Sequence, residues 1–188
     1  MRQILSRYLR ARGSDIRRFC RADQAATAVE FAIIAPAFIG TLVALLQVCL
    51  FVFAQMAIQN AAVQAGRYFM TGQAQAGNWT ASNVINDVCT NTNLSLIFNC
   101  SQMFVVAQDA ASFAAASTSA PALYNGNTLN TQSNYTFDTN ANPGGIMVVQ
   151  LIYPWPVLNG PLGFNISNLP NNQAELMGIS AFRVEPYL

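Results

Sequence analysis

The chain has 188 residues, 9% of them charged and 53% hydrophobic, with nine Arg, no Lys and no His. This is not the composition of an intrinsically disordered chain, which pairs low hydrophobicity with high net charge. Without His the commonest general base is missing and His-built zinc sites are excluded; the four Cys, at 20, 49, 89 and 100, form no C-x-x-C pair, which argues against a thiolate metal site, and no cofactor is expected.

The net charge of +1 conceals an asymmetry. Seven of the nine Arg (Arg2, Arg7, Arg10, Arg12, Arg17, Arg18 and Arg21) fall within the first 21 positions, opposed there only by Asp15. Residues 1–25 therefore read as a basic leader. Ile4, Leu5, Tyr8 and Leu9 recur in it at helical spacing. Two readings stay open: a solvated tail, or an amphipathic helix on the anionic inner leaflet, where each Arg adds about 1 kcal/mol. A basic end followed directly by an apolar run marks a cytoplasmic N-terminus.

Residues 31–54 carry no charge and show no polar face. Twenty-four helical residues reach about 36 Å, against a hydrocarbon core of about 30 Å, so a transmembrane helix is expected over 26–55. Pro36 is a candidate kink because it lacks an N–H. Ala35, Gly40 and Ala44 are small enough for close helix contact. Residues 56–188 are then expected outside, beginning with an extension of the same helix. Ile58, Ala61, Ala62, Ala65, Tyr68 and Phe69 repeat at spacings of three and four, and Gly72 is a plausible stop.

A short helix is expected within 78–100, capped by Thr80 or Ser82, with Val84, Ile85 and Val88 as its apolar face. Met103–Ala107 reads as a strand. Residues 110–145 lack periodicity and read as a long irregular excursion, with a helical piece near 110–116. Ile146–Tyr153 is the strongest strand signal, stopped by Pro154 and Pro156. Ile179–Glu185 alternates and makes a last strand. The fold class is α+β, with an antiparallel sheet of three or four strands packed on the helix extension.

Cys89 and Cys100 fall in the part expected outside. An oxidising compartment would join them, stabilising by roughly 2–4 kcal/mol; two free buried thiols are the alternative. Cys20 is expected in the cytoplasm and Cys49 in the membrane. Tyr153-Pro154-Trp155-Pro156 either covers a sheet edge or presents a binding epitope. Arg183 and Glu185 are two apart, and such an exposed pair contributes little.

Glu30 stands at the mouth of the apolar run, where an ionised carboxylate is costly unless it is paired or reaches the interface. The order of basic arm, small residues and Ala28-Val29-Glu30-Phe31 opening a long apolar helix resembles the processing region of type IV pilin-like proteins. The resemblance implies a cut between Ala25 and Ala26, leaving Glu30 fifth and Phe31 sixth in the mature chain. Such families usually have Gly before the cut; Ala25 is another small residue. The new amine at Ala26 of one subunit would neutralise Glu30 of a neighbour and fix helix register.

The stretch ATAVEFAIIAPAFIGTLVALLQVCLFVFAQMAIQNAAVQAGRYFMTG resembles the helix of the TadE-like family, pseudopilins of tight-adherence (Tad/Flp) pili. GGIMVVQLIYPWPVLNGPLG and the ending AFRVEPYL are similar to alphaproteobacterial members. The resemblance implies a pilin-like domain in the periplasm and a minor pseudopilin or assembly factor in the bacterial inner membrane. Its partners would be membrane lipid, other pilins, a prepilin peptidase and the pilus platform, with no nucleic acid and no small-molecule substrate. An enzyme is not expected, since no nucleophile stands beside a base. An exported adhesin-like envelope protein, with residues 1–54 as signal peptide, is the remaining alternative.

Overall fold

The computed structural model describes residues 23–116, 120–139, 143–160 and 163–186. Nearly all of the basic leader, with Cys20, lies outside the described residues. Two compact units emerge, one drawn from Met1–Leu46 and Gly160–Phe164, the other from Gln47–Asn159 and Asn165–Leu188.

Helix α1 is a single helix of 48 residues, Asp23–Met70, and it continues through Pro36. Its end is local chemistry. The Thr71 amide still reaches the Arg67 carbonyl at 3.0 Å, and then Gly72 turns left-handed at φ 75°. A residue without Cβ takes that conformation at no steric cost. A one-turn helix α2, Gln73–Ala76, follows, and then α3, Ala81–Asn91. Thr80 caps α3 through a capping box with Asn83, and Val84, Ile85 and Val88 face inward, as the spacing predicts.

The sheet of the second unit holds β1, Phe104–Ala110, then β4, Ile146–Pro156, and β5, Gln173–Arg183, in the order β1-β4-β5 and antiparallel throughout. A separate two-stranded hairpin, β2 (Tyr124–Asn125) and β3 (Thr128–Leu129), turns through Gly126 at φ 63°. One sheet face, with Val105, Met147, Val149, Leu151, Tyr153 and Leu176, buries against Ala54, Ile58, Ala61, Ala62, Ala65 and Phe69 of α1 and the apolar face of α3. The other face, with Phe104, Val106 and Ile152, is covered by Leu123 and by Tyr124, Leu129 and Tyr135. That cover comes from the excursion after β1. The helical piece expected near 110–116 is absent; bends and a turn occupy those residues.

The largest departure from the expected strands is at Pro154 and Pro156, which lie inside β4 instead of ending it. Pairing with β1 stops at Phe104↔Ile152, whereas pairing with β5 runs on to Pro156↔Gln173. The Val157 amide donates to the Asn172 carbonyl at 2.8 Å. Alternation then turns positions 154 and 156 to the side β1 has vacated, where no N–H is required. Strand β5 likewise starts earlier than expected, at Gln173, and ends at Arg183.

Both outer rims of this sheet are occupied by glutamine amides. Gln59 donates to the Ile179 carbonyl at 2.8 Å and accepts from its amide at 3.1 Å, while Gln55 donates to the Met177 carbonyl at 2.7 Å. On the far rim Gln132 donates to the Val105 carbonyl at 2.6 Å and accepts from its amide at 3.0 Å. Beside it, Ala107 bonds to Thr136 and Asp138. Close approach of α1 to β5 depends on Gly178: a Cβ there would collide with the backbone of Ile58.

Candidate functional site

The apolar stretch of α1 carries the chemistry of interest. Phe31, Ile33, Ile34, Phe38, Ile39, Leu42, Leu45 and Leu46 are all exposed, and with Val29 and Val43, also exposed, they cover most of the helix circumference. Only 11% of the most apolar 18-residue window is buried, at a mean hydropathy of 2.4. A soluble core helix would bury one side. This one is long and apolar enough to cross a membrane by length and composition.

Glu30 is the sole charge between Asp23 and Arg67. It is exposed on α1, as is Phe31. Ala25 and Ala26 lie within the first turn of the same helix. Ala26 is four residues before Glu30, so both fall on one face.

The second unit holds the disulfide. Cys89 of α3 and Cys100 are joined, with Cα atoms 6.5 Å apart, while Cys49 is free and exposed. Phe98, inside the closed loop, packs edge-on against Tyr153 and Trp155 at centroid distances of 5.0 and 5.7 Å. The Asn99 amide donates to the Tyr153 hydroxyl at 3.3 Å. Tyr153 and Trp155 thus hold the disulfide loop on the sheet, which favours the structural reading of Tyr-Pro-Trp-Pro. Arg183 donates to the Gly144 carbonyl at 2.7 Å, and the Glu185 amide donates to the Met70 carbonyl at 2.9 Å, so the two serve separate contacts.

A groove of about 550 Å³ lies beside the disulfide, lined in part by Ile85, Met103, Phe104, Leu129 and Gln132. None of its lining side chains is an acid or a base, so it offers no proton-transfer pair. Two groups nearer the second core are shifted. Burial pushes the Glu175 carboxyl up, and its Oε1 meets no donor among the described residues. Burial also pushes Tyr135 up; a hydrogen bond from Asn130 pulls the other way, and the negative charge of Glu175 adds to the rise.

Gln55 and Gln59 serve as rim partners of β5, a task that reading the sequence missed. Gln47 was passed over too, and its amide donates to the Leu158 carbonyl at 2.8 Å. The three lie eight and four residues apart, in one line along α1. Glutamines repeating at that interval on a half-buried helix were the available signal.

Comparison with known proteins bears on α1. The family described as TadE-like protein matches residues 25–67. No curated protein and no solved structure matches the chain.

Proposed function

We propose, from the premise of a TadE-like helix, that this chain is a minor pseudopilin or assembly factor of a Tad/Flp-type pilus. The observation that carries the proposal is α1 itself. Its exposed apolar circumference, with one acid at the entry, lies within the stretch that matches the family. In this reading the basic leader stays in the cytoplasm, α1 spans the inner membrane, and the disulfide-bonded domain is periplasmic.

A prepilin peptidase removes the leader between Ala25 and Ala26. The new ammonium of one subunit pairs with Glu30 of its neighbour, because an unpaired carboxylate in lipid is costly. Packing of helices at that register brings the subunit to the platform and to other pilins.

The test is the mass of the mature protein from its native host, together with Glu30→Gln. A chain starting at Ala26, with Glu30→Gln inserting normally and assembling poorly, supports the proposal. An intact Met1, or unchanged assembly of the variant, removes the processing and register argument. A start near Gln55 would support the exported, adhesin-like alternative instead.

A further inference from the structure

We propose that Leu158, just after β4, enters the outer leaflet beside α1 and forms a second membrane contact. The inference rests on the reading that α1 spans the bilayer. Hydrocarbon about 30 Å thick, counted from Phe31 at about 1.5 Å per residue, ends near Leu50. Gln47 lies about 24 Å along that path, still inside the limit, among the exposed apolar side chains Val43, Leu46 and Leu50.

An amide at such depth needs a partner, since lipid supplies none. Gln47 has one: it donates to the Leu158 carbonyl at 2.8 Å. Leu158 is therefore at the depth of Gln47. It leaves the sheet immediately after buried Val157 and exposes 78% of its surface. The Gly160 amide donates to the Phe164 carbonyl at 2.9 Å. Gly160–Phe164 belong to the same compact unit as the apolar helix through Leu46. No charge occurs from Thr139 to Ala174, so that stretch brings nothing ionised toward lipid.

A separate observation points to the same end of the domain. Leu96, 84% exposed, and Leu158 are the two most exposed large apolar side chains among the described residues. Leu96 sits two residues before Phe98, whose ring packs on Trp155, itself three residues before Leu158. Apolar side chains left in water singly need no account; Leu96 and Leu158 flank the Phe98–Trp155 contact in sequence, and a lipid surface would cover both.

The test uses the full chain with Cys20→Ser and Cys49→Ser, reconstituted in vesicles of phosphatidylethanolamine and phosphatidylglycerol. An environment-sensitive fluorophore is placed by Leu158→Cys, with Leu46→Cys as the helix reference and Phe113→Cys as the domain reference. Quenchers are a spin label carried on lipid chains and iodide in the buffer. Loss of emission at 158 and 46 to the lipid quencher, with 113 lost only to iodide, supports the inference. Loss at 158 to iodide alone, while 46 is quenched from lipid, overturns the second contact and leaves the spanning helix standing. A label at 46 that lipid does not quench overturns the spanning helix and this inference with it.

Discussion

Glu175 is set where a neutral side chain would sit more comfortably. It lies across from Pro154 in the ladder, half-buried, and burial raises its pKa. Between the ordinary carboxylate value and that raised value the folded chain keeps a proton that the unfolded chain has released. Stability is therefore greater on the acid side of the window and falls as pH rises through it. Glu175→Gln removes the charge and keeps the shape. The expected outcome is a higher urea midpoint at neutral pH and a flatter pH profile between acid and neutral solution. An unchanged midpoint with the same pH slope would remove Glu175 as the cause. Tyr135 acts in the same direction at alkaline pH, since burial and the neighbouring carboxylate both oppose its ionisation. None of this was legible in the sequence, because Glu175 reads there as an ordinary polar residue of a strand.

At the scale of elements, two glycines let α1 and β5 touch, and they differ in what a methyl group would meet. At Gly178 it would strike the Ile58 backbone, with the carbonyl carbon 2.8 Å away. At Gly66 it would meet the Ser180 hydroxyl at 2.5 Å. A hydroxyl can rotate and a helix backbone cannot. Gly178→Ala is expected to destabilise the domain by about 1–3 kcal/mol, the range for overpacking, and Gly66→Ala by clearly less. Chemical unfolding of both variants checks the order, and equal losses would sink the argument. The elements themselves were largely readable. Periodicity marks α1, its inward face and α3, and Gly72 marks the stop. What failed was local evidence used without its neighbours. Pro154 and Pro156 end a strand only if both sides are paired, and the absence of β1 beyond Ile152 is a tertiary fact. The Ala-rich stretch after Ala110 has helical propensity but no apolar face to dock, so propensity alone did not hold it. The Asn125-Gly126 turn, by contrast, is a hairpin signal that was present and overlooked.

For the whole molecule, one helix carries two duties. Its exposed apolar stretch belongs to the candidate membrane span, and its buried small residues, Ala54 through Ala65, form the wall on which the sheet is laid. The proposed site at Ala25, Ala26, Glu30 and Phe31 was drawn from the abrupt change of charge and hydropathy in the sequence there. Gln55 and Gln59 as rim partners were not legible, because their partners are more than 100 residues away in sequence. The prolines at the open end of β4 make a further prediction. Pro154→Thr together with Pro156→Thr restores two amide donors on an unpaired stretch. Self-association of the full-length protein in detergent is expected, seen as larger species by size-exclusion chromatography. A profile like that of the unaltered chain would show that the prolines are not guards.

The consequence of these closed rims concerns polymer architecture. Among the described residues, glutamine amides occupy Met177, Ile179 and Val105 on the two borders and Pro154 and Pro156 lack donors on the remaining stub, which hinders strand pairing between copies there. A filament that takes up this chain along its helices would lack the meridional reflection at about 4.7 Å that strands stacked along a fibre axis produce.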